Sequence, residues 1–298
     1  MNCKNGENFI NDSVGSLLQQ SYKNWELIFW DNFSNDKSVK KIKSYNDERI
    51  KVYRSKKTIT SGHARQNALK KCKGSYVSFL DVDDLWIKNK LKLQIKLFNS
   101  NKKLGLVFCN ELFFSKNSQK IGYKKKNLPT GKIYTQLLNN YFISFSTVMV
   151  KMSVIKANKI NFSRLFNHIS DFDFVMKLSR VTYIDLLYQV LVKTRIHFNS
   201  GSYKQPENFF FEKRIFLSKL KKNNKSYFSK NKLFFLKFEK GYFREYLLNL
   251  IMLKRYKEIK KLISNNKFFN RKIVYNFLRL RFFIDILSVI IKKKRMYI

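Results

Sequence analysis

The sequence predicts an α/β fold, a mostly parallel sheet flanked by helices, followed by a helical extension of different character. Three observations predict it. From residue 9 to about residue 110, short apolar strand-like runs alternate with amphipathic helix-like segments. Two polar clusters, Asp31-Asn32 and Asp81-Val82-Asp83-Asp84, follow directly on two of those runs. From about residue 206 onward the strand-like runs stop, and Phe, Leu, Ile, Lys and Arg crowd together at helical spacing. The expected division is therefore a domain over 1–205 and a basic, aromatic-rich extension over 206–298.

Taken in order, Phe9 to Gln20 reads as an amphipathic helix and Trp25 to Trp30 as a buried strand ending at Asp31. A helix near Asp36 to Tyr45 follows, with Ser34 or Asn35 available as its cap. Then come a strand over Ile50 to Tyr53, a helix over Ser61 to Lys71, and a strand over Ser75 to Leu80 that runs into the aspartates. A helix from about Ile87 to Phe98 and an apolar strand over Leu104 to Cys109 complete the alternation. In sheets of this kind ligands sit beyond the carboxyl ends of the strands, which is where both polar clusters stand. In the extension, helices are expected over Phe209–Leu220, Lys232–Lys240, Phe243–Leu253, Tyr256–Ile263, Lys272–Leu280 and Phe282–Ile291.

The formal net charge of +41 first suggests a nucleic-acid partner. No RNA-binding motif accompanies it, however, and the acidic triplet opposes it, so no nucleic-acid partner is expected. Lys, Asn, Ile and Phe are abundant together, as A/T-rich coding would produce, and codon usage accounts for part of the excess. The remainder favours polyanions, an anionic membrane surface among them, above all through Lys292-Lys293-Lys294-Arg295 after an apolar run. That run, Phe282 to Ile291, contains Asp285 and is too short to span a bilayer, which takes about 20 residues. Cys3, Cys72 and Cys109 have neither pairing nor metal-ligand spacing, which suits a reducing, cytoplasmic compartment.

Three carboxylates at one strand end repel one another, so something must offset their charge. A hard divalent cation, Mn²⁺ or Mg²⁺, would do so and leave positions open for phosphate oxygens. The alternative at this point is an Asp-rich turn that caps the following helix.

Four ordered blocks bear on that choice. Ser16-Leu17-Leu18-Gln19-Gln20-Ser21-Tyr22-Lys23-Asn24-Trp25-Glu26 is followed by the acidic turn Asp31-Asn32-Phe33-Ser34-Asn35-Asp36. Gly62-His63-Ala64-Arg65-Gln66-Asn67 then precedes Phe79-Leu80-Asp81-Val82-Asp83-Asp84-Leu85-Trp86. In this order the blocks resemble the family 2 glycosyltransferases of the GT-A fold, which use nucleotide-diphosphate sugars and invert the anomeric centre. The resemblance implies a donor site made of Asn2, Asp31, Arg65, Asp81, Val82 and Asp83, with Asp31 accepting a hydrogen bond from the nucleobase. It implies a metal held by Asp83 and Asp81, with His197 as a further contact to the metal or the diphosphate. Asp84, Asp173 and Trp86 flank the site.

Further on, Ile143 to Val150 looks like the strand placed before the acceptor region, and Asn167-His168-Ile169-Ser170-Asp171-Phe172-Asp173-Phe174 resembles the family's E-D-x-D-L segment. Asp171 matches the general base that takes the acceptor's proton, while Ser170 stands where Glu is usual. Capping of the helix that runs to Arg180 is the other role open to Asp171. Arg195-Ile196-His197, with Asn199-Ser200 and Ser202, resembles the closing R-x-H-x-x-S-x-S element; His63 and His168 receive no role. The implied donor is a UDP-sugar and the implied acceptor a glycan or lipid-linked hydroxyl, in surface polysaccharide assembly.

Such a domain should open with a central strand, yet Met1 to Glu7 looks only like the end of one and its turn. The first strand is therefore expected to be missing, with Met1 an internal methionine of a longer protein. Two other readings stay open beside an active transferase: a glycosyltransferase-like protein without activity, and a basic polyanion-binding protein.

Overall fold

The computed structural model describes residues 1–116, 118–123, 128–197, 205–223, 229, 232–264 and 288. The chain divides into two compact units, Met1–Ile196 and His197–Ile298.

The first unit begins with β1 (Asn2–Cys3) and α1 (Ile10–Leu18), which buries Ile10, Val14 and Leu17 at i, i+4 and i+7. β2 (Leu27–Asp31) is buried along almost its whole length and pairs parallel with β3 (Ile50–Arg54), Leu27 opposite Ile50; α2 (Ser38–Lys43) links the two. The expected end of the first strand is there: Asn2 and Cys3 pair parallel with Trp30 and Asp31. Trp30 N–H donates to Met1 O at 2.8 Å, and Asn32 N–H to Cys3 O at 2.7 Å.

α3 (Ser61–Leu69) leads to β4 (Tyr76–Ser78), and the acidic run then turns into β5 (Leu85–Trp86) and α4 (Lys90–Ser100). The strands that follow are β6 (Leu104–Phe114), β7 (Gln119–Ile121), β8 (Met149–Lys151) and β9 (Tyr183–Arg195). Between them lie α5 (Tyr134–Asn139), the 3-10 turn Phe145–Thr147, α6 (Met152–Ala157) and α7 (Ser170–Val181). Strand order in this second sheet is β4-β8-β6-β9-β5, with β7 on β6. β8 pairs antiparallel with both β4 and β6, and β6 pairs parallel with β9. Thus β4, β6 and β9 share one direction while β5, β7 and β8 run against them, so this second sheet is mixed, and the parallel pairings are β1–β2, β2–β3 and β6–β9. Of the strand expected over Ile143–Val150, only its end is strand; Phe145–Thr147 coil into the 3-10 turn.

Beneath the carboxyl end of β4 lies a knot of phenylalanines. Phe79 stacks on Phe145 with ring centroids 4.2 Å apart, and Phe162 stacks on Phe174 at 3.9 Å. Such pairs add about 0.5–1.5 kcal/mol each beyond the area they bury. They tie the strand end, the 3-10 turn and α7 into one wall.

The second unit contains α8 (Pro206–Asn223), α9 (Lys232–Met252) and α10 (Tyr256–Ser264). Phe210, Phe243, Tyr246, Leu250, Ile251 and Ile259 form its core. The two helices expected over Lys232–Lys240 and Phe243–Leu253 are one, α9. Gly241 does not stop it, because a glycine inside a helix costs only about 1 kcal/mol. The helices expected over Lys272–Leu280 and Phe282–Ile291, and the Lys292–Arg295 cluster, lie outside the described residues, Ser288 apart. Among the described residues no helix is long and apolar enough to cross a membrane.

Candidate active site

The acidic run is a braced turn. Asp84 is 5% exposed; its Oδ2 accepts from Ser146 Oγ at 2.6 Å and its Oδ1 from Arg195 N–H at 3.0 Å. Burial first, then the charges of Asp81 and Asp83, push its carboxyl well above the usual range. Asp84 therefore holds the turn from inside. Trp86, also buried, donates its indole N–H to Ser146 O at 3.0 Å, and its backbone N–H to Ser16 Oγ at 3.0 Å. Arg195 locks the other side, Nε donating to Asp83 O at 3.0 Å and Nη2 pairing with Asp12 at 2.8 Å. With Asp84 turned inward, Asp81 and Asp83 are left partly open.

α3 brings the guanidinium to them. Thr60 caps this helix by accepting from His63 N–H at 3.2 Å. Gly62 lets the helix press on the segment before α7: a Cβ there would stand 2.1 Å from Ser163 O and 2.7 Å from Phe166 O. Gly62 N–H donates to that Phe166 carbonyl at 3.0 Å. From this seat Arg65 Nη1 donates to Ser170 Oγ at 2.7 Å, and Nη2 donates to Asp81 Oδ1 at 3.2 Å. The guanidinium also lies 4.7 Å from the centre of the Phe145 ring.

Asp81 keeps 38% of its side chain exposed. Desolvation in the cleft raises its pKa; Arg65 opposes the shift, and the charges of Asp83 and Asp171 add to it. Asp171, half-buried in the first turn of α7, is thus an electrostatic neighbour of the aspartates of the run. The cap position of α7 is Ile169, which makes no side-chain cap bond, so Asp171 is not the residue that caps it. Asp173 is buried and pairs with Lys177 at 2.7 Å. The buried Tyr141 hydroxyl has no hydrogen-bond partner among the described residues, and the Asp171 charge is among the causes that raise its pKa, after burial.

At the carboxyl end of β2 Asp31 is 0% exposed; it accepts from Ser34 N–H at 3.2 Å and pairs with Arg54 Nε at 3.0 Å. Asn32 both donates to Ile59 O at 2.8 Å and accepts from Ile59 N–H at 3.1 Å. An aspartate cannot do both, which is why an amide serves at this position. The turn is zipped to the one after β1: Asn5 N–H donates to Ser34 Oγ at 2.9 Å and Gly6 N–H to Ser38 Oγ at 2.8 Å. Val82 packs there against Gly6, where a Cβ would come within 2.8 Å of its Cγ2. Asn2 Nδ2 reaches Ser61 Oγ at 3.3 Å.

Asn2, Arg65, Asp81, Val82, Asp83 and Asp171 therefore fall within one unit, around the carboxyl ends of β1 and β4. His197 falls in the second unit, and Asn199-Ser200 and Ser202 lie outside the described residues. Among the described residues no three His, Cys, Asp or Glu side chains are grouped closely enough to form a metal site of their own. The bracing roles of Ser146, Ser170 and the Arg195 backbone were not foreseen. Each partners a residue more than sixty positions away, and no local pattern announces such a contact.

Known proteins agree with this architecture. Residues 1–159 match the family described as glycosyl transferase family 2. Over 168 residues the chain is 34% identical to the Escherichia coli UDP-Glc:alpha-D-GlcNAc-diphosphoundecaprenol beta-1,3-glucosyltransferase WfgD, covering 56% of this chain and 63% of that protein. It is 32% identical over 148 residues to a Bacillus subtilis protein named for teichuronic acid biosynthesis, TuaG, covering 49% and 58%. The chain thus spans about three fifths of the length of these relatives. Among solved structures, S. aureus TarS 1–349 in complex with UDP superposes with a TM-score of 0.60 at 19% identity, covering 99% of this chain and 89% of that one. The mannosyltransferase PcManGT from Pyrobaculum calidifontis, solved with GDP-Man and Mn²⁺, gives 0.53 at 13% identity, covering 70% and 59%. Both structural likenesses concern the fold, which is that of the GT-A glycosyltransferases. With more than half of its length matched by the family and the aspartate run set at a strand end as that fold requires, the chain belongs to glycosyl transferase family 2.

Proposed function

We propose that the chain transfers a sugar from a UDP-sugar to a hydroxyl of a glycan or lipid-linked acceptor, with inversion, in the assembly of a surface polysaccharide. The observation that carries this reading is the link made by Arg65. One guanidinium holds Asp81, on the donor side, and Ser170, the residue next to Asp171. Donor and acceptor machinery are thus joined through a single side chain.

Asp171 is the base: it takes the proton of the acceptor hydroxyl as that oxygen attacks the anomeric carbon and the bond to the diphosphate breaks. Arg65 orients the donor. Asp83 and Asp81 fit a hard divalent ion, since both offer carboxylate oxygens, and burial, with the neighbouring charges of Asp83 and Asp171 after it, raises the Asp81 pKa. Such an ion, when bound, neutralises the departing diphosphate. Phosphate oxygens of the donor would supply further ligands. Asp31 lies under Arg54, so a base reaches its carboxylate only if that pair opens; the base edge then meets Arg54 first. The relatives' names support the setting, and the density of positive charge in residues 211–298, with 25 basic and 5 acidic side chains, supports attachment to an anionic membrane surface.

The reading is tested by incubating the protein with a panel of UDP-sugars and following UDP release with Mn²⁺ or with EDTA. Release that needs the metal supports it. No release from any donor, under conditions where UDP binds, would contradict it.

A further inference from the structure

Among the described residues, four that are not glycine hold a positive φ: Asn5, Phe33, Lys159 and Lys254. Three of them have ordinary reasons. Asparagine tolerates this conformation. Lys159 and Lys254 close α6 and α9, where Ile160 N–H donates back to Ile155 O and Arg255 N–H to Leu250 O, the bonding of a left-handed helix end. Phe33, at φ 65°, ends no helix, and for a bulky side chain this region is an outlier.

The neighbouring backbone holds it there. Ser34 N–H donates to Asp31, Ser34 Oγ accepts from Asn5 N–H, and the Asn32 side chain is bonded twice to Ile59. Both flanks of position 33 are therefore pinned, and the turn imposes its φ on whatever residue stands there. Glycine would meet that demand without steric cost. The chain carries a phenylalanine instead, and the core does not use it: the residue is 47% exposed. What the ring meets is charge. The Arg54 guanidinium lies 5.5 Å from its centre, held by Asp31 Oδ2 at 3.0 Å and by Ser34 O at 2.7 Å. A flat apolar ring and a fixed guanidinium thus stand side by side at the carboxyl ends of β2 and β3, where such sheets hold ligands.

We propose that Phe33 is the stacking platform for the donor's nucleobase, with Arg54 meeting the carbonyl edge of that base. The proposal rests on the nucleotide-sugar reading and names the residues that select the nucleotide within it. Stacking on an aromatic ring tolerates any base, since every base has a π-face. Selectivity then falls to Arg54, whose N–H donors suit a base edge that presents oxygens, as uracil does.

Because position 33 is strained, removing the ring should cost affinity and not stability. Binding of UDP and of inorganic pyrophosphate, both with Mg²⁺, is measured by calorimetry beside Tm for the wild type, Phe33→Gly and Phe33→Tyr. Phe33→Gly is expected to weaken UDP binding by about tenfold or more, with pyrophosphate binding unchanged. Its Tm should equal or exceed that of the wild type. Phe33→Tyr keeps the ring and should bind UDP within a factor of about two of the wild type. Unchanged UDP affinity in Phe33→Gly, or an equal loss for UDP and pyrophosphate, would overturn the proposal and leave the donor reading standing. A wild-type protein that binds no UDP would overturn both.

Discussion

Arg65 is one of few side chains here whose contacts can be divided by substitution. Lysine keeps the charge but cannot reach Ser170 and Asp81 in the same planar fork. Arg65→Lys is therefore expected to lower turnover by roughly tenfold while the fold stays intact, read as UDP release and Tm on the same samples. Lys90 gives a prediction independent of catalysis. It is fully buried, donates to Gln94 Oε1 at 2.8 Å and to Ser78 Oγ at 3.2 Å, and lies 4.1 Å from the Trp86 ring. Burial pushes its ammonium down from 10.5 to about 8. The unfolded chain then holds the proton more tightly than the folded one, so the destabilisation is fully present below pH about 8 and fades as pH rises toward 10.5. Urea unfolding of the wild type should show stability rising across that window relative to Lys90→Met, and parallel pH profiles would contradict the assignment. At this scale the sequence exposes identities but not partnerships. Asp81 and Arg65 were legible from their blocks, whereas the inward turn of Asp84 and its hold on Ser146 depend on a contact 62 positions away.

The decisive elements are the short ones. α3 carries Arg65 to the site only because Gly62 lets it touch the carbonyls of Ser163 and Phe166. Gly62→Ala must push helix and segment apart, at a cost of about 1–3 kcal/mol, and should reduce turnover as well as stability. A variant with wild-type stability and wild-type turnover would show that this contact does not position Arg65. The helices could be read from their apolar spacing, and the strands from their runs of Val, Ile, Leu and Phe. The direction of a strand is not written in such a run, and so the reversed β8 between β4 and β6 was not legible. Nor was the continuity of α9 through Gly241, since a glycine among good helix formers marks a possible stop and tertiary packing decides.

Across the whole chain, charge and catalysis pull on different parts of the sequence. The aspartate run proposed to meet the donor belongs to the first unit, while the last 88 residues add a net charge of +20 to a total of +41. Long-range attraction of that kind is screened over about 10 Å at 0.1 M salt. The protein should therefore sediment with anionic vesicles at low salt and be released at high salt, and indifference to such vesicles at low salt would remove membrane attachment from the account. The central claim concerns Asp171 and can be isolated from binding. Asp171→Asn removes the proposed base without touching the Arg65 link to Asp81 and Ser170. Its turnover with the preferred UDP-sugar and its affinity for UDP, measured side by side with the wild type, are the most direct test. The account predicts turnover reduced by about 10²–10⁴-fold with UDP affinity unchanged; turnover within a factor of about two of the wild type would contradict it.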